Sequence, residues 1–161
     1  MKAYIYCIYN NKYIKNFYIG STKDFKIRMD KHKSDCNNPN SSGYNYKLYK
    51  FIRENGGWSE FSKMIIATVD VIDKIEQRKI EQVYIDHLEP GLNDCRSYRT
   101  LEQRKDYEYD YRIKNRELIN KKMNCMCGGK YTKQNKTIHE RSKKHQKYIL
   151  KINQTITKIN I

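Results

Sequence analysis

Residues 3–9, Ala-Tyr-Ile-Tyr-Cys-Ile-Tyr, are aromatic or β-branched almost throughout, which reads as a strand. Alternation puts Tyr4, Tyr6 and Ile8 on one face and Ile5, Cys7 and Tyr9 on the other. Asn10-Asn11-Lys12 is turn chemistry, and Phe17 to Ser21 makes a second strand ending at Gly20, so the two form a hairpin with a long connection. From Lys23 to Lys33 the period becomes helical: Phe25, Met29 and His32 share one side with Arg28. Residues 34–43 read as a loop. A second helix follows with Leu48, Phe51 and Ile52 inward, stopping at Asn55-Gly56-Gly57, and Phe61 to Val69 is a third strand. The strongest helical pattern covers residues 71–89. Its apolar face is drawn by Ile72, Ile75, Ile80, Val83, Tyr84 and Leu88, and Pro90-Gly91 ends it.

Beyond Cys95 the texture changes. Residues 96–123 are charged, rich in tyrosine and without Gly or Pro, as suits a basic helical linker. Residues 124–153 hold two cysteines and two histidines, and residues 154–161 read as a flexible, frayed tail. No internal repeat is visible. The expected organisation is a domain over 1–95, the linker, a small module over 124–153, and the tail.

Charge sharpens this division. The net charge is +15, but residues 1–95 carry 15 Lys and Arg against 12 Asp and Glu, whereas residues 96–161 carry 18 against 6. A basic arm on a nearly balanced domain suits contact with a polyanion. A lysine-rich coding bias is the plain alternative, though it does not concentrate the excess in one half. With a mean hydropathy of −0.99 the chain is lean in core residues, which favours an extended or metal-stapled part. No stretch approaches a membrane span and Met1-Lys2 does not open a signal peptide. Five cysteines without convincing pairing point to an intracellular, reducing compartment, cytoplasm or nucleus, with thiols free or bound to metal.

Two charges sit on faces expected to be apolar. Arg28 shares its side with Phe25 and His32, and Glu81 shares its stripe with Tyr84, Ile85 and Leu88. A buried charge costs several kcal/mol unless paired or bound to metal. Mutual pairing of Arg28 with Glu81 is one way out, and a ligand is the other.

In order, Tyr4-Ile5-Tyr6, Tyr18-Ile19-Gly20-Ser21-Thr22, Arg28-x3-His32, Tyr49-x2-Ile52-Arg53-x2-Gly56-Gly57, Glu81-x2-Tyr84-Ile85 and Pro90-Gly91-Leu92-Asn93 resemble the ordered signature of the GIY-YIG nuclease family, over residues 3–95. Tyr4 stands where the family's first motif has glycine. The resemblance implies an α+β fold, a small three-stranded antiparallel sheet flanked by helices. It implies hydrolysis of a phosphodiester with one divalent metal, Mg²⁺ or Mn²⁺, held by Glu81. Arg28 would bind the scissile phosphate, one of Tyr6 and Tyr18 would orient or deprotonate water, and His32 would assist or simply pack. Gly20 and Asn93 would be structural elements near the site.

Cys125-x-Cys127-x11-His139-x5-His145 is similar to a C2H2 zinc finger, a ββα-like module for Zn²⁺. In an extended segment both thiols point the same way, Gly128-Gly129 turns the chain, and Tyr131 takes the place of a finger's core aromatic. A helix over Asn135 to Lys147 would deliver the imidazoles. Six residues advance a helix by about 600°, leaving the two histidines about 120° apart, so the helix has to loosen between them. A basic helix with incidental Cys and His is the other reading, and Ile138 is the nearest apolar residue to a finger's usual core position. Lys130, Lys133, Lys136, Arg141, Lys143, Lys144 and Lys147 surround the site and suit phosphate contacts.

Together these point to a metal-dependent DNA endonuclease acting on double-stranded or branched DNA, with no membrane partner and no small-molecule cofactor. A mobile-element or viral source would suit the Asn-, Lys-, Ile- and Tyr-rich composition. The alternatives are a junction or repair nuclease of the same family, and a non-catalytic nucleic-acid-binding protein on a retired nuclease fold.

Overall fold

The computed structural model describes residues 1–159, with side chains through 156. The chain divides into two compact units, Met1–Arg99 and the segment from Thr100 onward.

In the first unit, β1 (Lys2–Tyr9) is the centre of a sheet of order β2-β1-β3, antiparallel throughout, with β2 at Tyr18–Thr22 and β3 at Ser62–Asp70. Tyr6 faces Gly20 across one ladder and Ile65 across the other, and the β1–β3 register shifts between Ile5 and Tyr6. Because β1 is central, both of its edges are paired, and it also carries buried residues on both faces. Tyr6 and Ile8 pack with Leu48, Tyr49, Ile52, Phe61 and Leu92 into the main core. Ala3 and Ile5 are buried on the other face, as is Ile19 of β2.

Helix α1 (Phe25–Asn37) is capped by Asp24, whose carboxylate accepts from Ile27 N–H. It runs past the expected end at Lys33 because Cys36, one turn beyond His32, faces the core with it, and both are buried. Helix α2 (Lys47–Glu54) buries Leu48, Tyr49 and Ile52, whereas Phe51 is only half-buried. It ends where Gly56 and Gly57 take φ of 97° and 88°, a left-handed pair that side chains resist. A 3₁₀ turn at Trp58–Glu60 leads into β3.

Helix α3 (Lys74–Leu88) corrects the sequence reading. Its expected apolar face is largely in solvent, with Ile72, just before the helix, 90% exposed, and Ile75, Val83 and Leu88 exposed too. The face turned to the sheet is polar. Gln77 and Gln82 are the buried residues, with Glu81 half-buried between them. They can be buried because each finds partners. Gln77 Nε2 donates to Ser21 Oγ at 2.8 Å, and Gln82 Oε1 accepts from Ser97 N–H at 2.7 Å.

The second unit opens with α4 (Leu101–Lys114), held at its start by a reciprocal capping box between Thr100 and Gln103 and exposed along its length. A short α5 (Arg116–Asn120) precedes the hairpin β4 (Lys122–Asn124) and β5 (Lys130–Thr132). A 3₁₀ turn (Lys133–Asn135), α6 (Lys136–Glu140) and α7 (Lys143–Ile159) complete it. The frayed tail expected from residue 154 is replaced by helix through Ile159, since Ile149, Ile152 and Ile156 continue the helical period. The part of that expectation concerning residues 160–161 lies outside the described residues. No helix among the described residues is long and apolar enough to cross a membrane.

Candidate active site and metal centre

Strand pairing sets the first elements of the site. Gly20 lies opposite Tyr6, and a Cβ at Gly20 would come within 2.4 Å of the Tyr6 hydroxyl and 3.0 Å of the Tyr18 ring. Glycine is what lets both tyrosines crowd against β2. Helix α1 then delivers Arg28 and His32 one turn apart. Arg28 Nε donates to the Tyr6 hydroxyl at 2.9 Å, and His32 Nε2 is 2.8 Å from the same oxygen. On its other side His32 Nδ1 meets the Tyr49 hydroxyl at 2.8 Å. The imidazole is 2% exposed and enclosed by rings, stacked on Trp58 with edge contacts to Tyr6, Tyr18 and Tyr49. Burial, with the nearby positive charge of Arg28 and Lys31, pushes its pKa down to about 3, so it is neutral. Burial pushes the Tyr6 and Tyr49 hydroxyls well above the usual tyrosine range.

These groups border a pocket of about 600 Å³ whose walls include Tyr18, Arg28, His32, Tyr49, Glu81 and Asn93. Tyr6 is fully buried and stands behind this wall. Burial, with the Glu81 carboxylate adding to it, raises the Tyr18 hydroxyl above its ordinary value, and the charge of Arg28 pulls the other way. Glu81 enters from α3 past the edge strand, its Oε2 accepting from Ser21 Oγ at 2.5 Å. Burial raises its pKa, opposed by hydrogen bonds from Ser21 and the charge of Arg28. The anticipated Arg28–Glu81 ion pair is not among the ion pairs of the described residues, which involve other partners. Asn93 clamps β2 from the segment after α3, accepting from Ile19 N–H at 2.9 Å and donating to Ile19 C=O at 2.8 Å.

The profile of the GIY-YIG catalytic domain matches residues 2–93. The chain belongs to the GIY-YIG family. Its first unit has the GIY-YIG fold and is similar to a solved structure, a mutant form of the catalytic domain of the intron endonuclease I-TevI. The two are 25% identical with a TM-score of 0.50, over 62% of this chain and 100% of that one. No curated protein matches the chain. The protein is therefore a nuclease, with the pocket between Tyr18, Arg28 and Glu81 lying inside its GIY-YIG domain.

Outside the GIY-YIG match, Cys125, Cys127, His139 and His145 converge, with their ligand atoms all within 4.8 Å of one another. The cysteines lie on a turn rather than an extended segment: Gly128 N–H donates to Cys125 C=O and Cys125 N–H to Gly129 C=O, both at 2.9 Å. Gly128 has φ of 73°, and the turn it closes holds both thiols beside the two imidazoles. The helix breaks between the histidines, with α6 ending at Glu140 and α7 starting at Lys143. That interruption brings His139 Nε2 to 3.4 Å from Cys127 Sγ, and His145 Nδ1 to 3.4 Å from Cys125 Sγ. Tyr131 stacks on His139, whereas Ile138 is 69% exposed and contributes no core. Lys130, Lys133, Lys136, Arg141, Lys143, Lys144 and Lys147 are all exposed. Two have internal partners: Lys144 donates to Gly128 C=O and Lys136 pairs with Glu140.

Three residues that carry the site were not singled out for it from the sequence. Ser21 and Gln77 have ordinary polar side chains whose meaning comes only from Glu81 across the sheet edge. Tyr49 enters the sequence reading only within the family-like motif and without a role, and only the fold places its hydroxyl on His32.

Proposed function

We propose that this protein is a divalent-metal-dependent endonuclease that hydrolyses DNA phosphodiester bonds and docks on DNA through a basic zinc module. The observation that carries the reading is the pocket itself: a half-buried carboxylate without an ion-pair partner among the described residues, beside an arginine and a tyrosine.

The donors fit the implied metals. Burial makes the Glu81 charge unfavourable, and a hard cation relieves that cost; one carboxylate beside a pocket open to water suits Mg²⁺, which keeps most of its waters. When bound, such an ion supplies charge stabilisation at the phosphate and leaving oxygen. Ser21, itself held by Gln77, fixes the orientation of the carboxylate that would hold it. With Nε committed to Tyr6, Arg28 has its terminal nitrogens to offer a phosphate oxygen, a geometry suited to the planar fork. Tyr18, on the pocket wall, is the tyrosine placed to touch the attacking water, while Tyr6 and His32 position it from behind. In the second unit a set of two thiolates and two imidazoles matches tetrahedral Zn²⁺, and the surrounding cations suit phosphate.

The test is incubation of the full chain with supercoiled plasmid, branched DNA and RNA, each with Mg²⁺ or with EDTA. The expected result is Mg²⁺-dependent cutting of DNA. Cutting that persists in EDTA overturns the metal role, and cutting confined to RNA overturns the substrate.

A further inference from the structure

The pocket of about 600 Å³ is not lined by the groups of the family signature alone: Lys31, Gly43, Tyr46 and Lys47 border it too. Tyr46 is 63% exposed, yet it is held in place. Its ring stacks on Tyr49 with 6.3 Å between centroids and 15° between planes, and Tyr49 is itself buried and bonded to His32 at 2.8 Å. Gly43 lies beside both rings, where a Cβ would come within 3.4 Å of each. The turn before α2 is pinned as well. Tyr46 N–H donates to Gly43 C=O at 2.8 Å, Ser41 Oγ donates to Asp35 of α1 at 2.7 Å, and Arg53 covers the Tyr44 ring at 3.6 Å. Local structure does not call for an aromatic here: Tyr46 is the N-cap of α2, and its side chain makes no cap bond. A fixed and exposed ring in the pocket of a nuclease offers a π-face at little further cost in ordering.

Resting on the nuclease reading above, we propose that Tyr46 is a stacking platform for a nucleobase of the bound DNA strand, close to the scissile phosphate. Stacking on an aromatic side chain needs a free base face, and inside a duplex neighbouring bases take both faces. The base that Tyr46 takes is therefore unpaired or turned out of the helix, which costs least where the DNA is already single-stranded. Ring contacts run from Tyr46 through Tyr49 and His32 to Tyr18, with centroids 6.3, 5.8 and 5.7 Å apart, so the platform lies within a few nucleotides of the site. Lys31 and Lys47, exposed on the same pocket, suit the flanking phosphates, Lys47 giving up its 3.4 Å pair with Asp94 to bind one. Stacking accepts every base, so Tyr46 selects the form of the DNA and not its sequence.

The probe is a DNA duplex with a single-stranded flap, in which 2-aminopurine, a fluorescent base quenched by stacking, takes each flap position near the junction in turn. Mixed with the full chain without added Mg²⁺, it reports binding and needs no activity. At one position the wild type is expected to quench the fluorescence, as are Tyr46→Phe and Tyr46→Trp. Tyr46→Ala is expected to leave it bright while still binding the flap, as anisotropy shows. In steady state with Mg²⁺, Tyr46→Ala is expected to raise KM about 10-fold on the flap with kcat within about twofold, as the loss of one base stack implies, and Tyr46→Trp to restore it. No quench at any position, a quench that survives Tyr46→Ala, or Tyr46→Ala cutting with the wild-type KM overturns the platform and leaves the nuclease reading intact. A wild type that cuts no nucleic acid overturns the nuclease reading, and the quench then still decides whether Tyr46 stacks a base.

Discussion

At the scale of single residues, His32 shows how a site can hold a histidine that stays neutral at neutral pH. Its folded pKa of about 3 lies below the ordinary 6.5, so between those values the unfolded chain binds a proton that the folded one refuses. Stability is therefore fully present above about pH 6.5 and falls as pH drops toward 3, with a slope of up to about 1.4 kcal/mol per pH unit. Denaturant melts from pH 7 to 4 in wild type and His32→Gln check this, and the expected result is a shallower acid slope in the variant. The sequence exposed Arg28, His32 and Glu81 because charged and aromatic residues in that order are informative. Its reason for Glu81 holds in part, since Tyr84 and Ile85 are half-buried like Glu81 while Leu88 is exposed. The carboxylate is also held there by Ser21, itself bonded to Gln77, while Ile72, Ile75 and Val83 of the expected face are in solvent and Ile80 is half-buried. Periodicity weighs hydrophobicity and cannot register that a glutamine with two partners is as buryable as a leucine.

At the scale of elements, the break between α6 and α7 is a geometric requirement made visible. Histidines six apart cannot meet on one straight helix, and the interruption at Arg141 and Ser142 brings both imidazoles beside the two thiols. The spacing made that legible in advance. The cysteine turn was not, because a one-residue gap reads equally as a strand until Gly128 is seen at positive φ. Purified protein is expected to carry one zinc, to lose it in Cys125→Ser with Cys127→Ser, and to show a lower melting transition for the second unit after chelation. Metal analysis and calorimetry check this; zinc retained at full stoichiometry in the double variant would remove the assignment.

At the scale of the whole molecule, the chain separates chemistry from charge. Residues 1–95 are nearly balanced, and the excess of cations lies in residues 96–161. With about six to eight phosphate contacts, the slope of log affinity against log salt is expected near −5 to −7. Lys143→Gln and Lys147→Gln, exposed on α7, are each expected to make it about 0.9 less steep, as filter binding at several salt concentrations would show. Lys144, which the sequence placed in the same set, is tied to the Gly128 carbonyl and is expected to matter more to the fold of the module.

The central claim is that Glu81 holds the ion on which hydrolysis depends, and single-turnover cleavage of a DNA substrate in Mg²⁺ by wild type and Glu81→Ala tests it most directly. The expected result is a loss of at least about 10³-fold in rate in the variant, with DNA still bound by the basic second unit. Cleavage by Glu81→Ala at a rate close to that of the wild type would contradict it.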